Sequence, residues 1–173
     1  LKKEINRGDV VILDQFIDFT RHRKISFHEQ FEPGKIVHTT MAEPFSKELR
    51  EILTKTCEEL NLSHHKNGTV VTIEGPRFST KAESKMFSIW GADVINMSIA
   101  PEAALANEAG IPYAAIAIST DYDCLFDDVP PVTWEEVLKV FEENVCKVTN
   151  LLVQAIPKIS FLTLKAFDLK STT

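Results

Sequence analysis

Apolar and polar positions along this chain follow two alternating rhythms. The run from Val10 to Leu13 follows Gly8 and Asp9 and predicts a short buried strand. Leu49, Ile52, Leu53, Cys57 and Leu60 then recur at helical spacing behind Ser46, a good N-cap, and predict an amphipathic helix of about four turns. The polar stretch 63–68 reads as a turn, and the β-branched run 69–73 as a central strand. Thr80 and Glu83 form a capping-box pattern that opens a helix reaching about Trp90, and residues 94–97 return to strand. Pro101 suits the first helical position of a helix that Gly110 closes, and residues 113–118 form the next strand. A second capping pattern, Thr133 and Glu136, opens a long helix whose apolar face is Val137, Phe141, Val145, Val148 and Leu152. Residues 19–34 read as a surface loop, and residues past Pro157 as either a further strand or an atypical frayed tail. The βαβα rhythm predicts an α/β fold, a central mostly β sheet flanked by helices, with no internal domain boundary.

Composition narrows the picture by exclusion. A length of 173 residues with 44% hydrophobic content supports one substantial core. A net charge of -6, with no stripe of Lys and Arg, argues against nucleic acid as a partner. No apolar stretch approaches the roughly 20 residues that span a bilayer, so no membrane partner is expected. Cys57, Cys124 and Cys146 are odd in number and without a CxxC, which indicates neither a disulfide framework nor a zinc site and fits a reducing, cytoplasmic setting. His64 and His65 lack a further ligand at metal spacing and read as part of a solvated turn, His22 and His28 as loop residues, and Asp127 with Asp128 as a solvated acidic run.

Candidate chemistry lies where strands end, because open α/β sheets bind ligands beyond the carboxyl ends of their strands. Three such segments stand out: Thr72 to Thr80, Ala92 to Ser98, and Ser119 to Asp123. Asp121 and Asp123 are two apart, so in extended chain their carboxylates share a side, about 7 Å apart at Cα. Like charges so placed raise one another's pKa, and with burial one stays protonated near neutrality, able to donate to a leaving group; the alternative is ordinary loop capping. The Glu74-Gly-Pro-Arg-Phe-Ser79 turn offers a close backbone approach, an aromatic face and a small hydroxyl before a helix N-terminus. The plain alternative is a tight strand-to-helix turn with Phe78 in the core and Arg77 in a surface ion pair.

Taken together, the stretches Gly8 to Asp18, His38 to Phe45, Gly68 to Ser79, Gly91 to Met97 and Ser119 to Cys124 resemble the S-methyl-5′-thioadenosine phosphorylase family, of the purine nucleoside phosphorylase superfamily. The resemblance covers residues 1 to about 158, leaving 159–173 as an atypical tail. It implies a purine nucleoside phosphorylase-like fold, incomplete at its N-terminus. It implies a homotrimeric, cytoplasmic and also nuclear enzyme that splits methylthioadenosine with inorganic phosphate, as co-substrate, into adenine and 5-methylthioribose 1-phosphate, with no metal or organic cofactor. In the residues matched to the family, Asp121 donates to N7 of the departing purine as general acid and Asp123 engages the 6-amino group. Phe78 and Ser79 contact the base, while Met97 and Ser98 lie at the ribose and phosphate. Val137 lines the apolar 5′ pocket, and His38 reaches the 5′ group of a neighbouring subunit. In 6-oxopurine phosphorylases the positions of Ser79 and Asp121 resemble Glu and Asn, so the side chains here suit adenine.

Two positions depart from the family pattern: Ser98 stands in place of Thr, and Trp134 in place of a smaller residue, which narrows the 5′ pocket. The chain begins at Leu1 rather than Met, and the resemblance places a Gly-rich turn, an Arg-His motif and a Thr-Ala-Cys-Gly-Ser-like segment, which build most of the phosphate site, ahead of Leu1. The expectation is a phosphorylase whose beginning lies outside this sequence and which does not catalyse as this fragment alone. The alternative is a non-catalytic form that binds adenine nucleosides or joins full-length subunits.

Overall fold

The structure is a computed structural model that describes residues 1–28, 30–126, 128 and 133–170, with side chains described through residue 159. Its elements run β1 (Val10–Ile12), β2 (Gln15–Phe19), α1 (Lys47–Glu59), β3 (His64–His65), β4 (Thr69–Ile73), α2 (Lys81–Ile89), β5 (Val94–Asn96), α3 (Ile99–Glu108), β6 (Ile116–Ile118) and α4 (Trp134–Lys170).

The strands form two three-stranded sheets in place of one central sheet. β1 lies between β3, in parallel, and β6, antiparallel with Val10 opposite Ile118. β4 lies between β2 and β5, all parallel, with Phe16 opposite Val70 and Val70 opposite Val94. The chain passes from one sheet to the other within two residues: Leu13 N–H donates to Ala115 O at 3.0 Å, and Asp14 N–H to Gly68 O at 3.2 Å. The expected central position of residues 69–73 is therefore correct, and their β-branched side chains are buried as a strand covered on both faces requires.

The helices begin where the sequence places them. Ser46 Oγ accepts from Leu49 N–H, and Thr80 and Glu83 exchange both capping-box bonds, Glu83 N–H to Thr80 Oγ at 3.2 Å and Thr80 N–H to Glu83 Oε2 at 2.8 Å. α3 starts two residues earlier than expected, at Ile99, so Pro101 is its third residue and not its first, still in the turn where no N–H is required, and Gly110 follows its C-cap with φ +68°. α1 and α4 cover one face of β1, where Ile52, Leu53, Cys57, Leu151 and Ala155 enclose Val10 and Ile12. α2 packs Phe87 onto Val71 and Ile73, with Phe19 and Trp90 edge-on to its ring at 5.1 and 6.0 Å.

Several expectations change. Residues 15–19, where the sequence pattern places only Phe19 in a loop and assigns no element to the rest, form a strand. His64 and His65 are half-buried on β3 rather than solvated: His65 Nε2 lies 3.0 Å from Asp9 Oδ2, and His64 Nδ1 lies 2.9 Å from Leu62 O. α4 turns a different face inward, with Asn144, Leu151 and Ala155 buried while Phe141, Val145 and Leu152 face out. Helix continues through Pro157 to Lys170, in place of the expected strand or frayed tail. Of the acidic pair, Asp128 is exposed and within 3.4 Å of Lys3 Nζ, whereas Asp127 lies outside the described residues.

Candidate active site

The carboxyl ends of β4, β5 and β6 converge on one cavity of about 210 Å³. Phe78 and Ser79 enter it from the turn after β4, Met97 from the end of β5, Asp121 and Asp123 from the loop after β6, and Val137 from the first turn of α4. The three strand-end segments singled out in the sequence therefore meet at one place, and a helix supplies the apolar wall.

Each contributor has a local reason for its position. Gly75 takes φ +70°, and a Cβ there would lie 2.7 Å from Met97 Sδ, so the turn after β4 can touch Met97 only because the residue is glycine. Arg77 leaves the cavity side and forms a bidentate pair with Glu83, both contacts at 2.7 Å, while Phe78 remains 41% exposed on the cavity rim. The surface ion pair was the plain reading of Arg77 and is present; a core position for Phe78 is not. Ser79 Oγ is buried and has no hydrogen-bond partner within the protein, on a residue that lines the cavity.

The two aspartates do not adopt the extended geometry expected from their spacing. Asp123 has φ +55°, and its N–H donates to Asp121 Oδ1 at 2.7 Å, an Asx turn that folds the loop back on itself. Thr120 Oγ donates to Asp121 Oδ2 at 2.6 Å. Both carboxylates nonetheless line the cavity. Burial raises the Asp123 pKa above its ordinary value; hydrogen bonds from Ser84 and the Cys124 amide oppose the shift, and the Asp121 charge adds to it.

The base of the loop is fixed to the first sheet. Gly8 N–H donates to Ser119 O at 2.7 Å, and Ser119 N–H to Asp9 O at 3.0 Å. Asp9, 4% exposed, is itself held by Asn6 N–H at 2.8 Å and by His65. At the other wall, Thr72 Oγ donates to Asn96 Oδ1 at 2.8 Å and accepts from Ala100 N–H at 3.1 Å, which ties β4, β5 and the start of α3 together.

Two expected site residues are not among those lining this cavity. Ser98 caps α3 at an exposed position beside Met97, outside the cavity lining, and makes no side-chain bond to the helix. His38, which the resemblance assigns to the site of a neighbouring subunit, is exposed within the long segment between β2 and α1 and does not line this chain's cavity. Trp134 is 60% exposed and not among the lining residues, so it does not narrow the cavity. Sequence reading did not single out Asn96 and Thr120, which line the cavity from within the strand-end segments it had marked. Among the described residues, no group of three or more His, Cys, Asp or Glu is arranged to hold a metal ion.

The phosphorylase superfamily profile matches residues 1–157. The S-methyl-5′-thioadenosine phosphorylase of Xenopus tropicalis is 50% identical over 163 residues, covering 92% of this chain and 58% of the relative. That of Pyrococcus horikoshii is 52% identical over 159 residues, covering 92% and 60%. Among solved structures, the methylthioadenosine phosphorylase of Schistosoma mansoni in complex with adenine superposes with a TM-score of 0.86 at 34% identity, over 92% of this chain and 62% of that one. The chain thus spans about three fifths of the length of these relatives.

Proposed function

This chain belongs to the phosphorylase superfamily, and on that premise we propose that it carries the purine and ribose half of a methylthioadenosine phosphorylase site. The reaction is phosphorolysis of S-methyl-5′-thioadenosine by inorganic phosphate, giving adenine and 5-methylthioribose 1-phosphate, with no metal or organic cofactor. The observation that carries this reading is the convergence of Phe78, Ser79, Met97, Asp121, Asp123 and Val137 on one cavity. The Schistosoma mansoni enzyme, similar in fold, binds adenine, and a singly substituted variant of it binds methylthioadenosine, which supports the same ligands here.

In this reading the purine rests against Phe78, its edge toward Ser79 Oγ and the two carboxylates, and the 5′-methylthio group lies against Val137. As the glycosidic bond breaks, the sugar approaches an oxocarbenium ion and the base gains negative charge. A proton donated to N7 therefore acts selectively in the transition state. Asp121 is placed at N7 as that acid, and Asp123 at the 6-amino group. The raised pKa of Asp123 makes the division of labour testable: in a chain extended by the phosphate-site elements, Asp121→Asn should lower adenine release by about 10²–10⁴. A larger loss from Asp123→Asn would exchange the two roles.

Phosphate needs donors opposite the departing base, and among the described residues lining the cavity none is Lys, Arg or His. Ser98, at the N-terminus of α3, offers a hydroxyl to phosphate but no cationic charge. This favours a second reading for the 173-residue chain on its own: it binds adenine and its nucleosides without phosphorolysis. His38 acts in a neighbouring subunit of a homotrimer, and the exposed apolar residues Ile25, Phe27, Phe31, Ile36 and Val37 around it support burial of that segment between subunits. The free cysteines Cys57, Cys124 and Cys146 are in keeping with a cytoplasmic, and also nuclear, location.

Equilibrium binding to the chain as it stands tests the specificity. Adenine and methylthioadenosine should bind at least tenfold more tightly than hypoxanthine and inosine, because a 6-oxo group reverses the donor that Asp123 accepts from. Equal affinities would overturn the adenine assignment.

A further inference from the structure

Ser84 belongs to no part of the site described so far. It lies in the first turns of α2, is fully buried, and is not among the residues that line the cavity. A buried serine on a helix ordinarily satisfies itself by bonding back to the carbonyl four residues earlier, and Ser84 Oγ does lie 3.1 Å from Thr80 O. Its other neighbours are of a different kind. Ser84 Oγ is hydrogen-bonded to Asp123 Oδ2 and lies 3.2 Å from Cys124 Sγ, and the Cys124 thiol in turn donates to Ser79 O at 3.3 Å. Asp123 continues the chain of contacts through its N–H to Asp121 Oδ1.

One buried hydroxyl thus stands between the two loops that form the base-reading edge of the cavity. The contacts run from the backbone of Ser79 through Cys124 to Ser84, and from there through Asp123 to Asp121. None of the contacts between the loops is a sheet bond, since Ser79 and Asp123 both lie beyond the ends of their strands. Asp123 has a left-handed backbone that a non-glycine residue holds only when its surroundings fix it. Ser84 fixes its side chain by engaging one carboxylate oxygen, which determines how the other oxygen faces the cavity.

We propose that Ser84 is a positioning residue for base recognition: by holding one oxygen of Asp123 it aims the carboxylate at the exocyclic group of the purine and couples the Asp121–Asp123 loop to the Ser79 turn. The role rests on the purine assignment of the cavity, and the test separates the two. The 173-residue chain is labelled with ¹³C at the aspartate carboxyls, and the Asp123 titration is followed in wild type, Ser84→Ala and Ser84→Thr. Adenine and hypoxanthine affinities are measured on the same samples.

The Ser84 hydrogen bond favours the charged form of Asp123, so Ser84→Ala should move the Asp123 titration upward and Ser84→Thr, which keeps the hydroxyl, should restore it. Adenine affinity should fall about tenfold in Ser84→Ala, with hypoxanthine affinity changed by less than twofold. In an Asp123→Asn background Ser84→Ala should add little further loss, since it acts through that carboxylate. An unmoved Asp123 titration together with additive losses would overturn the role. A wild-type chain that binds neither base would instead overturn the purine assignment, and the base-recognition role with it, whatever the titration shows. Should Ser84→Ala fail to fold, Ser84→Cys, close in shape and a weaker donor, must shift the titration in the same direction or the role fails.

Discussion

Gly75 and Met97 meet where two walls of the cavity touch, and the contact leaves no room for a side chain. Gly75→Ala adds a methyl 2.7 Å from Met97 Sδ at a φ of +70°, so a loss of about 1–2 kcal/mol is expected. A shift of the urea midpoint measures it, and an unchanged midpoint would show that the turn relaxes freely. Cysteine chemistry should divide just as sharply by position. Burial beneath α4, with a smaller contribution from Glu58, pushes the Cys57 thiol up to about 11, whereas Cys146 is exposed on α4. Iodoacetamide at pH 8 should label Cys146 quickly and Cys57 only on unfolding, as read by peptide mass spectrometry; comparable rates would mean that α4 opens readily from the first sheet. At this scale the sequence revealed residue types but not partners. Asp121 and Asp123 were legible as a pair, yet the Asx turn that joins them depends on a left-handed Asp123 that spacing alone does not indicate.

Among the elements, α2 carries the clearest pH signature. Glu83 is held at about 2, first by its bond to Arg77 and then by the Thr80 amide, against an ordinary 4.5. A depressed carboxylate contributes stability that is complete above the unfolded value and is lost as pH falls through the folded one. The N-terminus of α2, and Ser79 beside it, should therefore loosen between pH 4.5 and about 2. Amide exchange at Glu83 and Ser84 would report this, and Glu83→Gln should flatten the dependence; exchange independent of pH in that window, after correction for the intrinsic rate, would remove the argument. The capping box that creates this signature was readable from Thr80 and Glu83 because it is local. Strand β3 was not, since two residues become a strand only by pairing with Val10 and Val11, more than fifty positions away. The inward face of α4 was misread for a related reason. That helix has apolar side chains on more than one side, so periodicity finds a stripe but does not say which stripe meets the sheet.

On the scale of the whole molecule, the outward side of α4 is strongly apolar among the described residues. Trp134, Phe141, Val145, Leu152, Val153 and Ile156 are all substantially exposed along one helix. Surface of this kind favours self-association and dye binding. The chain should bind anilinonaphthalene sulfonate in its folded state and show concentration-dependent sedimentation. Phe141→Glu with Val153→Lys should reduce both without lowering the thermal midpoint, because neither side chain is buried; a fall in the midpoint would place them in the core instead. No helix among the described residues is long and apolar enough to cross a membrane, so the exposed stripe is not a spanning segment.

The passage between the sheets at Leu13 and Asp14 has a consequence for how such a cavity can change. The β6 loop bearing the aspartates hangs from the sheet of β1, and the turn bearing Phe78 and Ser79 from the sheet of β2. Those two strands are one continuous stretch of chain bent at a single corner, so the corner works like the pivot of a caliper whose jaws are the two loops that line the cavity. Substitutions at the corner would alter the gap between the jaws while leaving every residue that touches the ligand in place. Inserting one residue there would do something else: it would turn β2 over and exchange its buried and exposed faces. On the proposed reading of the cavity as a purine site, selection for a larger or smaller base would thus have a site of action remote from the lining residues.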